Sequence, residues 1–305
     1  MGSKGIGRRE FMVIAGMAAT AATSGASAGG RPRIRAAQTP EAVLSEALSY
    51  RKVDSHSHVG AGGITAKDVI ESADRVGIAR MAISIPQGDA PDQFRKANDK
   101  ILAAVKEFPD RFIGQCFVNP RYPSEALEEL NRCLGEGFIG LGELYAQAKI
   151  NDPVFFPLIE RSIEANAPVM MHARADTGLL RPGIHTDAPP TTSTADDFID
   201  VAKRYPEAIL IHAHIGGGGD WEYMCKTLRA SPSIYIDTGG SITDEGMIDF
   251  AKETLGVERM LFSTDCNFET GVGKILAANL TEEERGRIFW DNYNAILRKR
   301  GMDAH

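Results

Sequence analysis

His56 and His58, two residues apart in VDSHSHVG, close a short apolar run, and polar residues of the same kind close other runs along the chain. His172 ends PVMMHA, His212 and His214 fall in AILIHAHI, Glu143 stands in FIGLGELY and Asp265 in RMLFSTDCN. Residues two apart on a strand share a face, so His56 and His58 can point together. Neutral imidazoles completed by a carboxylate are donors for a divalent cation that keeps one position open for water. Five of the seven histidines occupy such places. Any one alone also reads as a histidine bonded to a backbone carbonyl, but together, at the same end of several strands, they read as a metal site.

The positions divide the work. In HAH, His214 is nearer the strand end, in the metal site or at its edge, while His212 is deeper, supporting a ligand from behind or packing. Glu143 either bridges two cations about 3.5 to 4 Å apart or accepts the second N–H of a ligating histidine. Asp265 would hold the ion and take a proton from its water, whose pKa the metal lowers toward about 7. Arg174, two residues after His172, offers a guanidinium for a substrate carboxylate, with Tyr145 as the second substrate-binding candidate. A solvated loop arginine is the plainer alternative for Arg174, and Arg181 and His185 follow in the same stretch. Cys266 adjoins Asp265 and on a strand would face away, so no thiol nucleophile is expected. Trp221, Phe289 and Trp290 read as packing residues.

Strand-like runs begin at residues 52, 80, 112, 138, 168, 208, 234 and 259. Between them lie segments of helical spacing such as DQFRKANDKILAAVKEF, SEALEELNRCL and DDFIDVAKRY, and EEERGRIFWDNYNAILRK supplies a last helix. Eight such units in roughly 250 residues predict an α/β fold, a single-domain (β/α)8 TIM barrel over 51–305, with strand ends at the C-terminal mouth. No dinucleotide fingerprint follows the first strand, and GGGG at 216–219 lacks the Lys-Ser/Thr of a phosphate loop and reads as a turn. The long irregular stretch 173–194 would lie over the mouth.

At 305 residues, 43% hydrophobic and 25% charged, the chain can bury a large core. Its first segment carries Arg8 and Arg9, Phe11, and an Ala- and Gly-rich stretch ending Ala26-Ser27-Ala28. Residues 1–28 read as a twin-arginine signal, implying the export machinery as partner and a periplasmic or secreted location. Thr and Ser interrupt the apolar stretch, so no stable membrane span is expected after cleavage. Residues 29–50 read as a linker and lead-in helix. Losing Lys4, Arg8, Arg9 and Glu10 leaves 31 basic against 40 acidic residues, a net charge of −9, which does not invite nucleic acid or anionic lipid. Cys116, Cys133, Cys225 and Cys266 show no CxxC spacing and read as free, mostly buried thiols.

The segments DSHSH, MMHAR, HAHIGGGG, FSTDCN and DNYNAIL, in that order, resemble the amidohydrolase superfamily, and within it the amidohydrolase-related branch, which includes decarboxylases and lactonases. The resemblance covers nearly all of the chain after the signal. It implies His56, His58, His172 and Asp265 as metal ligands and His214 as ligand of a second metal or as the group polarising substrate. Gly142-Glu143 is similar to the strand-four pair that supplies a bridging carboxylate in TatD-type relatives. The leading expectation is a metal-dependent hydrolase, with zinc as the ion at one or two sites, cleaving an ester, lactone or amide of a small molecule. Asp265 would then shuttle the proton and His214 stabilise the oxyanion. A decarboxylase of a small unsaturated or aromatic acid on the same site is one alternative. A non-catalytic binding protein on a barrel scaffold is another.

Overall fold

The apolar runs form strands β1 (Lys52–His58), β2 (Ile78–Ser84), β3 (Phe112–Cys116), β4 (Gly140–Leu144), β5 (Val169–His172), β6 (Leu210–Ala213), β7 (Ile234–Asp237) and β8 (Met260–Leu261). Each pairs in parallel with the next, so the sheet order is the chain order. Helices return the chain between them, as parallel pairing requires. These are α2 (Ala66–Arg75), α3 (Pro91–Glu107), α4 (Pro123–Gly135), α5 (Phe156–Glu164), α6 (Ala195–Arg204), α7 (Trp221–Leu228) and α8 (Met247–Leu255), preceded by α1 (Pro40–Ser49). α9 (Phe268–Ala277) follows β8. The Ser55 N–H donates to the Phe262 carbonyl (2.9 Å), joining the last strand to the first. The barrel expected from the spacing is the fold.

The computed structural model describes residues 39–60, 63–174, 191–215 and 220–303. Those from Thr39 onward belong to one compact unit, Ala37–His305. The expected signal at 1–28, Arg181, His185 and GGGG at 216–219 lie outside the described residues, as does 175–190 of the long stretch after β5. Among the described residues, no helix is long and apolar enough to cross a membrane. The lead-in helix is α1, whose N-terminus is capped by Thr39.

Alternation divides each strand between two cores. Val53, Ile113, Met170, Ile211 and Leu261 fill the barrel interior. Met81, Phe112, Met171, Leu210 and Ile236 pack outward against the helices. The last helical segment is not the uniform helix its spacing suggests. It runs as α10 (Glu282–Gly286), a wider π-helical turn (Arg287–Asp291) and α11 (Asn292–Lys299). Across this turn Phe289 packs on Phe262, while Tyr293, Ile296 and Leu297 join the interior core. Truncating Ile296 to Ala is expected to cost about 2–5 kcal/mol. The four cysteines are free, Cys116, Cys133 and Cys225 buried and Cys266 partly so.

His212 corrects one expectation. Alternation turns it outward on β6, where its ring lies 4.9 Å from that of Phe198 on α6, and both ring nitrogens lack hydrogen-bond partners among the described residues. It packs, and supports no ligand from behind. His214 follows the last residue of β6, so the two-residue rule that would place both rings on one face does not extend to it.

Burial pushes His212 down to about 4. The unfolded state, with an ordinary imidazole near 6.5, therefore binds more protons between those values, and stability falls as pH drops from about 6.5 to about 4. The slope is at most about 1.4 kcal/mol per pH unit, and His212→Leu is expected to remove it. Urea unfolding of both proteins at pH 5 and pH 7 measures the difference, and identical pH dependence would contradict the assignment.

Candidate metal centre

β4 passes so close to β5 that residue 142 must be glycine. Gly142 has φ +147°, and a Cβ there would lie 2.7 Å from the Met170 Cβ. This approach delivers Glu143, 3% exposed, to the centre of the mouth. Its Oε2 lies 3.3 Å from His56 Nε2 and 3.4 Å from His58 Nε2. Its Oε1 lies 2.8 Å from His172 Nδ1 and 3.3 Å from His214 Nε2. Asp265 Oδ1 stands 3.2 Å from His58 Nε2. All six expected ligands meet in one place.

Residues behind them set which nitrogens carry protons. Asp237 Oδ2 accepts from His56 Nδ1 at 2.9 Å, and the Ser84 carbonyl, which can only accept, lies 3.3 Å from His58 Nδ1. Each ring therefore holds its proton on Nδ1 and aims the Nε2 lone pair inward. Two lone pairs then face Glu143 Oε2 and Asp265 Oδ1 with no donor among them. Neighbouring atoms of this set stand 3.2–3.4 Å apart. That separation matches the edge of a coordination shell of about 2.1 Å radius, which is about 3.0 to 3.4 Å. Imidazole and carboxylate donors at that spacing fit a divalent cation.

Protons are the competing occupant. Burial alone would lower His58, yet hydrogen bonds to Asp265 and Glu143 raise it to about 9. Burial likewise opposes His56, which Glu143 and Asp237 lift well above the ordinary imidazole value. Burial would raise Glu143, but the imidazole of His56 and hydrogen bonds from His172, His214 and His56 hold it well below the carboxylate range. Asp237, opposed by burial and favoured by His56, sits at about 2.

Asp265 corrects a second expectation, since β8 ends at Leu261 and Asp265 lies beyond it in a turn. Asp265 and Cys266 have left-handed φ values of 50° and 61°, and the Asp265 N–H donates to the His56 carbonyl at 2.9 Å. Alternation thus does not decide where Cys266 faces. Its thiol lies against the end of β1, accepting from the His58 N–H at 3.3 Å.

Around the donors, the Tyr145 ring lies 4.4 Å from that of His172 and is 40% exposed. The Arg174 N–H is tied to the Ser193 carbonyl (2.9 Å), and its buried Nε has no hydrogen-bond partner among the described residues.

Three contributors escaped the sequence reading. Asp237 ends β7 in IYIDTGG, the same strand-end signal that marked Glu143. Asp54 accepts the His56 and Thr264 N–H groups at 3.0 Å each, tying β1 to the Asp265 turn, and burial raises it to about 7 against the hydrogen bonds from Thr264. Lys274 Nζ donates to the Gly239 and Gly240 carbonyls at 3.3 and 2.9 Å, fixing the loop behind His214. Asp54 is adjacent to the histidine pair, but nothing local to Lys274 in the sequence points to the mouth.

Two outcomes are expected. A cation must displace the proton that His58 holds below about 9, so affinity rises with pH up to that value, about tenfold per unit per displaced proton. Calorimetry with Mn2+ in buffers of different ionisation heat would register the released protons, and constant affinity from pH 6 to 8 would contradict this. Asp237→Ala frees the His56 ring and is expected to weaken metal binding about 10–100-fold, measurable by competition with a fluorescent chelator.

The geometry accords with what the chain is similar to. A family profile described as amidohydrolase matches residues 64–298. The 2-amino-3-carboxymuconate-6-semialdehyde decarboxylase of Dictyostelium discoideum is 26% identical over 212 residues, covering 60% of this chain and 58% of that protein's length. The gamma-resorcylate decarboxylase of Rhodococcus jostii is 26% identical over 255 residues, 67% of this chain and 76% of that one. The crystal structure of 5-carboxyvanillate decarboxylase from Novosphingobium aromaticivorans, complexed with manganese and a nitrobenzoic acid, superposes with a TM-score of 0.64 at 14% identity. It covers 82% of this chain and 96% of that one, a likeness of fold. The two curated relatives are decarboxylases, which overturns the leading expectation of hydrolysis. The zinc expectation also gains no support, since the solved neighbour holds manganese. By its barrel, its ordered donor set and the profile spanning most of its length, the chain belongs to the amidohydrolase family.

Proposed function

We propose that this protein is a metal-dependent, non-oxidative decarboxylase of a small aromatic or unsaturated carboxylic acid. The reading is carried by the activity of the curated relatives, which are decarboxylases matched over 60% and 67% of this chain. The mouth supports it chemically. A divalent cation, with manganese the favoured ion, would be held by His56, His58 and Asp265 beside Glu143, and would supply a Lewis acid for substrate oxygens.

The remaining steps belong to the side chains. Tyr145, against His172 and partly exposed, offers a flat apolar face to a ring or conjugated chain. Arg174, its Nε without a partner among the described residues, offers a charge-assisted contact to an anionic group. The bond between the acid's α-carbon and its carboxylate breaks, the electron pair stays on that carbon, carbon dioxide leaves, and a proton takes its place. Asp265, whose side chain is 28% exposed, can relay that proton from solvent to the carbon. The net change is acid anion plus proton to the shortened product plus carbon dioxide.

Manganese-loaded protein incubated with a panel of ortho-hydroxybenzoic acids is expected to release one carbon dioxide per acid consumed. No release from any ortho-hydroxybenzoic or unsaturated acid by fully loaded protein would defeat the reading. Asp265→Asn is expected to lower kcat by about 100-fold or more. Arg174→Met is expected to raise KM by about 10- to 100-fold through a lost charged hydrogen bond, with a smaller effect on kcat.

A further inference from the structure

The loop after β7 presses on the donor set from behind. Gly239 is wedged between its supports: a Cβ there would lie 2.6 Å from Ser263 Oγ, 3.1 Å from Asp237 Oδ1 and 3.5 Å from the Asp265 Cβ. Its N–H donates to Asp237 Oδ1 at 2.9 Å, and the other oxygen of that carboxylate accepts from His56 Nδ1 at 2.9 Å. Gly240, at φ +80°, backs the His214 ring, where a Cβ would come within 3.2 Å. One side chain holds both glycines. Lys274 Nζ donates to the Gly239 carbonyl at 3.3 Å and to the Gly240 carbonyl at 2.9 Å. It reaches them from α9, where Gly271, three residues earlier on the same face, lets the helix close on β8: a Cβ there would lie 3.0 Å from the Ser263 carbonyl. We infer that Lys274 is a positioning residue of the metal centre, setting through Gly240 the orientation of His214 and through Gly239 and Asp237 that of His56.

A plain loop staple would not need a charge. Two carbonyls are satisfied equally by water or by a neutral amide, whereas an ammonium gives up strong hydration on entering the protein. Burial pulls Lys274 down to about 8, against the attraction of Asp237 and Asp265. In return, charge-assisted bonds fix the loop more firmly than neutral ones would. Firmness matters here because the loop touches two ligating rings through short, direct contacts. The His214 ring is clamped between Gly240 and the His56 ring stacked on it at 4.8 Å, so a loop that moves back frees His214 and loosens Asp237 together. Losing the support of a ligating imidazole typically weakens metal binding about 10–100-fold. Lys252 provides the contrast. On α8 it makes bonds of the same kind, to the Asn279 carbonyl at 3.2 Å and Glu284 Oε2 at 2.7 Å, which tie helix to helix.

The inference rests on the mouth being a metal centre, and not on decarboxylation. Metal-free full-length protein, Lys274→Met and Lys252→Met are compared by the visible absorption of bound Co2+, by Mn2+ competition with a chelator and by thermal unfolding. Lys274→Met is expected to shift the Co2+ bands, which report ligand geometry, and to weaken Mn2+ binding about tenfold or more. Lys252→Met is expected to leave bands and affinity as in the parent, whatever it does to the unfolding temperature. Lys274→Gln, a neutral donor on a shorter chain, is expected to follow Lys274→Met and replaces it where that variant does not fold. Parent-like bands and affinity in the Lys274 variants, or equal losses in Lys252→Met, would reduce Lys274 to a structural staple and overturn the inference. A parent protein that binds neither ion would overturn the metal reading itself, and this inference with it.

Discussion

A carboxylate buried among four imidazoles governs this structure. Taking the charge of Glu143 out of water costs several kcal/mol unless it is compensated on the spot. Here compensation comes from His56, His58, His172 and His214 at 2.8–3.4 Å, and from whatever cation or protons those rings carry. Protons and metal are thus alternative answers to one electrostatic demand. The raised His56 and His58, and the depressed Glu143 and Asp237, describe the protonated answer.

The barrel meets the demand by arranging supports from several strands at one end. Asp237 from β7 fixes the His56 ring, and the backbone of Ser84 from β2 fixes His58. Asp54 pins the turn after β8 that carries Asp265, through Thr264 N–H and Oγ1 at 3.0 and 2.5 Å. Beneath this polar end lies an apolar interior, into which α11 sends Tyr293, Ile296 and Leu297. The packed interior makes the mouth a rigid platform, and rigidity matters because donor atoms misplaced by even an ångström no longer share a cation.

The same kind of donor set serves hydrolysis and decarboxylation, which is why the donors alone pointed to the wrong chemistry. A polarising cation and a carboxylate that moves a proton are common to both reactions. What separates them is how a substrate lies over the donors, and that arrangement has no short-range signature.

Local patterns in the sequence determined a good deal. Apolar runs alternating with helical spacing specified eight parallel units, and polar residues at the run ends marked His56, His58, Glu143, His172, His214 and Asp265 before any geometry was known. Those signals are short-range, so they survive in a one-dimensional reading. Tertiary structure decided the rest. It turned His212 outward to Phe198 by alternation along β6, left His214 free of that rule just beyond the strand, and put Asp265 in a turn beyond a β8 only two residues long. It also recruited Asp237, Asp54 and Lys274 through bonds to His56, Thr264 and the Gly239 and Gly240 carbonyls, which are 181, 210 and 34–35 residues away. Above all, it aimed the two oxygens of Glu143 at separate histidine pairs, a matter of ångströms set by the close passage of β4 along β5 at Gly142 and readable only once the barrel has closed.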